Sequence, residues 1–219
     1  WILETKEFYI STSAGISVYP QDGKEIKTLF KNADTAMYHA KEKGKNDYSF
    51  YRAEMNKKAL MEIRMEKALR EGLKNEEFIL YYQPQIHLQT GKIAGTEALI
   101  RWKHPRRGII LPGEFINIAE KTGLIIQVGE WVIKRAMKQA IEWEKKGYLF
   151  TNISVNLSPK QLKERTFIQR VERMIEETGI NTSKITFEIT ENVAVENLGE
   201  VSRILQYLKE GGFRIALDD

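Results

Sequence analysis

From about residue 76 onward, short apolar runs of strand-like composition alternate with segments whose apolar residues recur at helical spacing. The strand-like runs are residues 78–83, 93–102, 153–157, 185–190 and 213–217. The helical segments are residues 112–121, 126–145, 167–178 and about 198–208. This alternation predicts parallel strands with helices packed outside them. Since a closed eight-stranded βα barrel takes about 250 residues, the sequence predicts about five strands, in an open sheet or in part of a barrel.

The residues before this alternation predict a smaller unit and a connector. Residues 10–19 are strand-like, residues 29–40 repeat apolar side chains at helical spacing, and residues 48–51 form a second strand-like run. A strand, helix and strand of this size are too small for a stable domain on their own. Residues 52–75 are charged and rich in helix formers, and we expect them to form a helical connector.

Composition narrows the choice of function. The chain has no cysteine, which excludes disulfides and cysteine-based zinc sites and agrees with a cytosolic setting. No apolar run approaches the roughly 18 residues of a membrane span, and no signal segment stands at the start. The net charge of +4 suits either an ordinary basic surface or attraction to a phosphorylated ligand. The basic residues form no long run with interleaved aromatics, so we expect no nucleic-acid polymer as a partner.

Oxygen-bearing side chains recur at or near the ends of the predicted strands. They are Glu97, Asn156, Glu188 and the pair Asp218 and Asp219. Because the carboxyl ends of parallel strands form the active edge of an α/β fold, these residues could meet there. Carboxylate and amide oxygens are the ligands that Mg²⁺ and Mn²⁺ prefer.

Three of these residues also have a structural explanation. Glu97 could form an ion pair with Arg101 or face outward on an edge strand, and Asn156 could cap the helix that follows it. Glu188 could lie on the solvent-exposed face of a strand whose side chains alternate between core and solvent. Their recurrence at corresponding strand ends favours a shared cation over unrelated accidents.

The strings that carry these residues resemble known families. Residues 97–102 (EALIRW) resemble the signature of the EAL domain, a cyclic-di-GMP phosphodiesterase. Supporting matches are residues 82–84 (YQP), 155–158 (VNLS), 188–191 (EITE) and 217–219 (LDD). The first segment is similar to the C-terminal end of a GGDEF, or diguanylate cyclase, domain. That similarity rests on residues 13–17 (SAGIS), 33–38 (ADTAMY), 40–41 (AK) and 44–46 (GKN).

The resemblance implies a fold and a division of the chain. The fold would be a partial, modified TIM (β/α) barrel, covering about its first five strands with the first strand antiparallel to the rest. A fragment of an α+β GGDEF-type domain would precede it. We expect residues 1–52 to form the end of the GGDEF-like domain, residues 53–75 the connector, and residues 76–219 an EAL-like domain cut after strand five.

The resemblance also implies roles for individual residues. Glu97, Asn156, Glu188 and Asp218 would hold a first Mg²⁺ or Mn²⁺ ion, and Asp218 or Asp219 would bridge toward a second. Glu97, Asp218 and Asp219 would then be the catalytic acids of a two-metal hydrolysis that yields linear pGpG. The remaining implied roles are ligand contact by Gln83, Leu99 and Arg101, anchoring of a loop by Glu191, and phosphate contact in the GGDEF-like part by Lys41 and Lys45. For the two lysines, a solvated helix end that compensates the helix dipole is an equal alternative.

The expected function is therefore cyclic-di-GMP hydrolysis within a tandem GGDEF-EAL signalling protein. The alternative is a catalytically silent EAL domain that acts as a cyclic-di-GMP receptor. We expect a homodimer through the EAL domain and a cytoplasmic location, with the full-length protein either free or tethered to the inner face of the membrane. Because the chain begins at Trp1 and ends at Asp219, we expect it to be a piece that is poorly soluble and inactive by itself.

Overall fold

The computed structural model describes residues 2–3, 6–7, 11–148, 150, 152–190 and 199–218. Its backbone contacts divide the chain into two compact units, residues 1–64 and 65–219. No helix in the described part of the chain is long and apolar enough to cross a membrane.

The first unit contains two pairs of short strands and a helix. Strands β1 (Ile2–Leu3) and β2 (Lys6–Glu7) pair antiparallel, while β3 (Ala14–Ile16) and β4 (Tyr48–Phe50) pair parallel. Helix α1 (Ile26–Glu42) lies between β3 and β4 in the sequence and buries Ala36 and Ala40. The regular part of the first predicted strand is thus only three residues long. Helix α2 (Ala53–Lys74) begins in this unit and runs past the boundary into the next.

The second unit is built on one main sheet whose strand order is β10-β9-β8-β6-β5. Its members are β5 (Phe78–Ile86), β6 (Ile93–His104), β8 (Ile153–Asn156), β9 (Ile185–Thr190) and β10 (Arg214–Asp218). The last four are parallel, and β5 runs antiparallel to β6. The predicted partial barrel with an antiparallel first strand is confirmed. The short strand β7 (Gly108–Ile110), which forms a hairpin with β6, was not predicted.

Helices occupy the connections between the parallel strands. They are α3 (Pro112–Thr122), α4 (Ile125–Lys145), α5 (Pro159–Leu162), α6 (Phe167–Thr178) and α7 (Glu200–Glu210). Helix α6 ends where the sequence predicts, because Gly179 adopts a φ of 68°, which closes a helix at little cost when no Cβ is present. A 3₁₀ turn, Thr182–Lys184, then leads into β9.

Two apolar clusters hold these helices against the sheet. The larger one joins α4, α6 and α7 to the sheet through fully buried side chains that include Ile133, Ile153 and Phe187. The smaller one surrounds Trp102, whose ring is fully buried and whose Nε1 donates to Glu77 Oε2 at 2.9 Å. Each fully buried side chain of this size contributes about 1.5–3 kcal/mol. Because one face of the sheet is used for this packing, the other face is free to carry polar side chains.

A close approach between α4 and α5 depends on a glycine. A Cβ added to Gly129 would lie 1.9 Å from Nε2 of Gln161, which is only 3% exposed and cannot swing into solvent. The same addition at Gly113, in the first turn of α3, meets nothing within 4 Å.

We predict opposite effects for two Gly→Ala substitutions in these helices. Gly129→Ala should lower the free energy of unfolding by about 1–2 kcal/mol, because it displaces the Gln161 side chain and the helix cap that this residue completes. Gly113→Ala should change it by less than about 1 kcal/mol, in the stabilising direction, because alanine restricts the unfolded chain. Urea denaturation of both variants checks this, and equal midpoints for the two would contradict it.

Candidate functional site

The polar face of the main sheet gathers the residues that the sequence singled out. Cα register pairs Glu97 with Ser154, Asn156 with Glu188, and Asp218 with Thr190. Because register partners point to the same side and side chains alternate along each strand, one face carries Glu97, Asn156, Glu188 and Asp218. Asp219 and Glu191 lie outside the described residues.

A direct hydrogen bond joins two of these strands. Asn156 Nδ2 donates to Glu97 Oε1 at 2.9 Å, which links the end of β8 to the middle of β6. Asn156 is therefore not the cap of the following helix. That role belongs to Ser158, whose side chain accepts from the backbone N–H of Gln161. The N-cap alternative for Asn156 is thus excluded, and its amide is engaged with a neighbouring carboxylate.

The carboxylates of strands β6, β9 and β10 influence one another electrostatically. Burial raises the pKa of Glu188, and the negative charges of Glu97 and Asp218 raise it further. Hydrogen bonds from Ser154 and Gln85 act in the opposite direction and lower the same pKa. A carboxylate that faces two others in a half-buried setting is a place where positive charge would be favourable.

The expected ligand contacts lie on the same face, along β5 and β6. Gln83 is the register partner of Glu97, and Leu99 and Arg101 follow Glu97 at alternate positions. The Arg101 guanidinium lies 5.5 Å from the centroid of the Tyr81 ring, and its Nη1 donates to the carbonyl of Ile100 at 2.9 Å. Within the described residues, Arg101 forms no ion pair with Glu97, so the ion-pair alternative for Glu97 is excluded.

A cavity of about 530 Å³ opens beside Asn156. Its walls come from β6, α3, α4 and the segment that follows β8, and they include Leu99, Pro112, Ile116 and Val128. Cavities of this volume with apolar walls and a few polar groups are typical of small-molecule sites.

The donor set suits a hard divalent cation in its chemistry. Three carboxylates and an amide supply the oxygen ligands that Mg²⁺ and Mn²⁺ take, and such an ion would relieve the repulsion of Glu188 by Glu97 and Asp218. However, no three His, Cys, Asp or Glu side chains of the described ranges stand close enough together to hold a metal ion. The assignment of these residues to a divalent cation therefore rests on the chemistry of their oxygen ligands and on their position on one face of the sheet.

The two lysines of the first unit are placed differently. Lys41 lies in the last turn of α1 and Lys45 follows that helix with a φ of 61°, and both are exposed. A cavity of about 650 Å³ in this unit is lined by other residues, among them His39, Lys43 and Arg52. Neither lysine lines that cavity.

Two residues on the polar face were missed by the sequence interpretation. Gln85 lies two positions after Gln83, and Ser154 lies two positions before Asn156. Both form hydrogen bonds with the Glu188 carboxylate that lower its pKa. The sequence did contain a signal for them. Residues two positions apart in a strand lie on the same face, so Gln85 shares the face of Gln83 and Ser154 shares the face of Asn156.

Comparison with known proteins identifies the families that this chain resembles. The family model described as EAL domain matches residues 66–219, and the one described as diguanylate cyclase, GGDEF domain, matches residues 1–47. The bifunctional diguanylate cyclase/cyclic di-GMP phosphodiesterase MucR of Pseudomonas aeruginosa is 39% identical over 213 residues, which cover 97% of this chain and 31% of that protein. The cyclic di-GMP phosphodiesterase PdeR of Escherichia coli is 34% identical over 213 residues, covering 97% and 32%.

A solved structure supports the same relationship. The PaMucR phosphodiesterase in complex with c-di-GMP aligns with a TM-score of 0.68 at 36% identity, over 71% of this chain and 63% of that one. The chain spans about a third of the length of the curated relatives described above.

We predict a pH-dependent stability effect from Glu188. Its pKa is raised in the folded state above the value of about 4.3 for an unfolded chain. The neutral acid is therefore favoured by folding, and this contribution is complete below about pH 4 and is lost as the pH rises through the folded pKa. With EDTA present, Glu188→Gln should be more stable than the wild type at pH 7, and the difference should vanish near pH 4.

Denaturant titrations at both pH values measure this difference. Glu176→Gln, at an exposed position on α6, is the matched control and should change little at either pH. Equal midpoints for Glu188→Gln and the wild type at pH 7 would refute the electrostatic account of Glu188.

Proposed function

Because the chain belongs to the EAL domain family, we propose that it forms the first strands of a cyclic-di-GMP phosphodiesterase. The reaction is hydrolysis of cyclic-di-GMP to linear pGpG in a tandem GGDEF-EAL signalling protein. The observation that carries this proposal is the shared face of Glu97, Asn156, Glu188 and Asp218 on consecutive parallel strands. We further propose residues 1–52 as the end of the GGDEF domain, residues 53–75 as the connector and residues 76–219 as the EAL part.

EAL phosphodiesterases are metal-dependent, and we propose Mg²⁺ or Mn²⁺ as the ions. Glu97, Asn156, Glu188 and Asp218 would hold the first ion, and Asp218 or Asp219 would reach the second. When bound, the ions polarise the phosphodiester and lower the pKa of a water molecule so that it can attack in line. The chain's own contribution is a set of oxygen ligands on one face of the sheet, where Ser154 and Gln85 form hydrogen bonds with the Glu188 carboxylate.

Substrate recognition is proposed for the residues of β5 and β6. Arg101 would contact a phosphate of cyclic-di-GMP, because its planar fork of donors matches two phosphate oxygens. Gln83 and Leu99 would contact the ligand from the same face. The apolar cavity beside Asn156 has room for a flat aromatic base, which supports a nucleotide as the ligand.

Catalysis is favoured over a silent receptor role, because the described metal-site positions all retain oxygen ligands. For the GGDEF part, we propose phosphate contacts by Lys41 and Lys45, which their exposure permits. We also propose that the protein assembles into a homodimer through the EAL domain and that it is cytoplasmic.

We predict that Glu97→Gln in the full-length protein abolishes hydrolysis without unfolding it. Loss of a ligand should reduce kcat by more than the roughly 10–100-fold that is typical when an outer partner of a metal site is lost. Release of pGpG, followed by chromatography, measures this loss, and isothermal titration calorimetry tests whether cyclic-di-GMP still binds. Glu176→Gln should keep wild-type turnover. Turnover by Glu97→Gln at the wild-type rate would contradict the assignment of Glu97 as a metal ligand.

We also predict that Arg101→Lys weakens substrate binding although the charge is kept. A hydrogen bond to a charged group is worth about 1.5–3 kcal/mol, and lysine cannot reproduce the two-pronged contact. KM for cyclic-di-GMP should therefore rise by at least about 10-fold, with a smaller change in kcat. Arg173→Lys, on the exposed side of α6, serves as the matched control. An unchanged KM for Arg101→Lys would contradict the assignment.

A further inference from the structure

Gln161 is a buried polar residue close to the site that has no part in the proposed chemistry. Its side chain is only 3% exposed. A buried amide costs free energy unless it is hydrogen-bonded, so its partners show what it does. Ser158 N donates to Gln161 Oε1 at 3.1 Å, and Gln161 N donates to Ser158 Oγ at 3.3 Å. Together these bonds form a capping box at the start of α5.

The capping box follows directly on the end of strand β8. Leu157 N still donates to the carbonyl of Glu188 at 2.8 Å, as expected for a residue paired with β9. The backbone N–H of the next residue, Ser158, lies on the side away from β9, as strand alternation requires, and donates to the Gln161 side-chain oxygen. Asn156 is the last residue of β8, two positions before the cap residue Ser158, and its Nδ2 donates to Glu97 Oε1.

The shape of α4 keeps the Gln161 amide in this position. Gly129 presents no side chain, and an added Cβ there would overlap Gln161 Cδ at 2.3 Å as well as Nε2. The amide is therefore confined between the backbone of α4 and the backbone of Ser158. Confinement of this kind favours one rotamer, which a freely exposed glutamine would not keep.

We propose that Gln161 is a positioning residue for Asn156. By fixing Ser158, it holds the Asn156 amide at the end of β8, on the face that also carries Glu97 and Glu188. This inference rests on the proposed function, in which Asn156 is one of the cation's ligands. Partners that orient metal ligands typically change metal affinity by about 10–100-fold when they are removed.

The test compares two substitutions in the full-length protein. Gln161→Leu keeps the approximate volume but removes the acceptor for Ser158 N. Gln161→Glu retains an acceptor, and glutamate serves in a capping box as well as glutamine does. Mn²⁺ alone is titrated by calorimetry, and hydrolysis is measured as a function of Mn²⁺ and of cyclic-di-GMP. We expect the Mn²⁺ dissociation constant to rise by about 10-fold in Gln161→Leu and to recover toward the wild type in Gln161→Glu.

Two further variants separate positioning from general stability. Gly129→Ala, which displaces the amide, should raise the Mn²⁺ dissociation constant as Gln161→Leu does, whereas Gly113→Ala should not. In an Asn156→Ala background, Gln161→Leu should have no additional effect on Mn²⁺ binding, because the residue through which it acts is gone. KM for cyclic-di-GMP should stay near the wild-type value in Gln161→Leu.

The outcomes are distinguishable from failure of the proposed function. A wild-type protein that binds Mn²⁺ but does not release pGpG would refute the phosphodiesterase assignment. The Mn²⁺ dissociation constants of the wild type and Gln161→Leu would still test the role of Gln161. A wild-type Mn²⁺ dissociation constant in folded Gln161→Leu, or equal effects with and without Asn156, would overturn the positioning role. Failure of the wild type to bind Mn²⁺ would overturn it as well.

Discussion

The repulsion between like charges on one face of the sheet is the constraint on which the rest of this structure depends. Glu97, Glu188 and Asp218 come from three different strands, and the backbone register holds them on a common side against their mutual repulsion. The free energy that opposes this repulsion comes from the other face, where residues such as Ile153 and Phe187 are buried against helices. Burial of apolar side chains on one face of the sheet therefore offsets the repulsion between the carboxylates on the other.

The elements around the site serve this arrangement in different ways. Strand β5 adds Gln83 and Gln85 because it pairs antiparallel to β6 in a register that faces them inward. The connections between the strands supply the cavity wall and the cap behind Asn156. A site of this kind is assembled by several segments that are distant in the sequence, and each is held by packing that is itself remote from the polar groups.

Much of the fold could be predicted because each element carries a local signal. Helix α6 was predicted with its observed bounds, since its apolar residues repeat at helical spacing and Gly179 ends it. Strand β7 was missed because three residues are too few to show a period. Ser154 and Gln85 were missed because a hydroxyl or an amide in a strand has many ordinary roles. Only their position beside Glu188 distinguishes them.

The sequence by itself determined the alternation of strands and helices, the strand ends at which acids recur, and the family to which the chain belongs. These properties follow from periodicity and from motifs, which are local. The tertiary structure decided that Asn156 donates to Glu97 while Ser158 caps the helix, and that Arg101 lies near the Tyr81 ring and forms no ion pair with Glu97. Those choices depend on which side chains from distant strands lie within a few ångströms of each other, and only the packed sheet sets that distance.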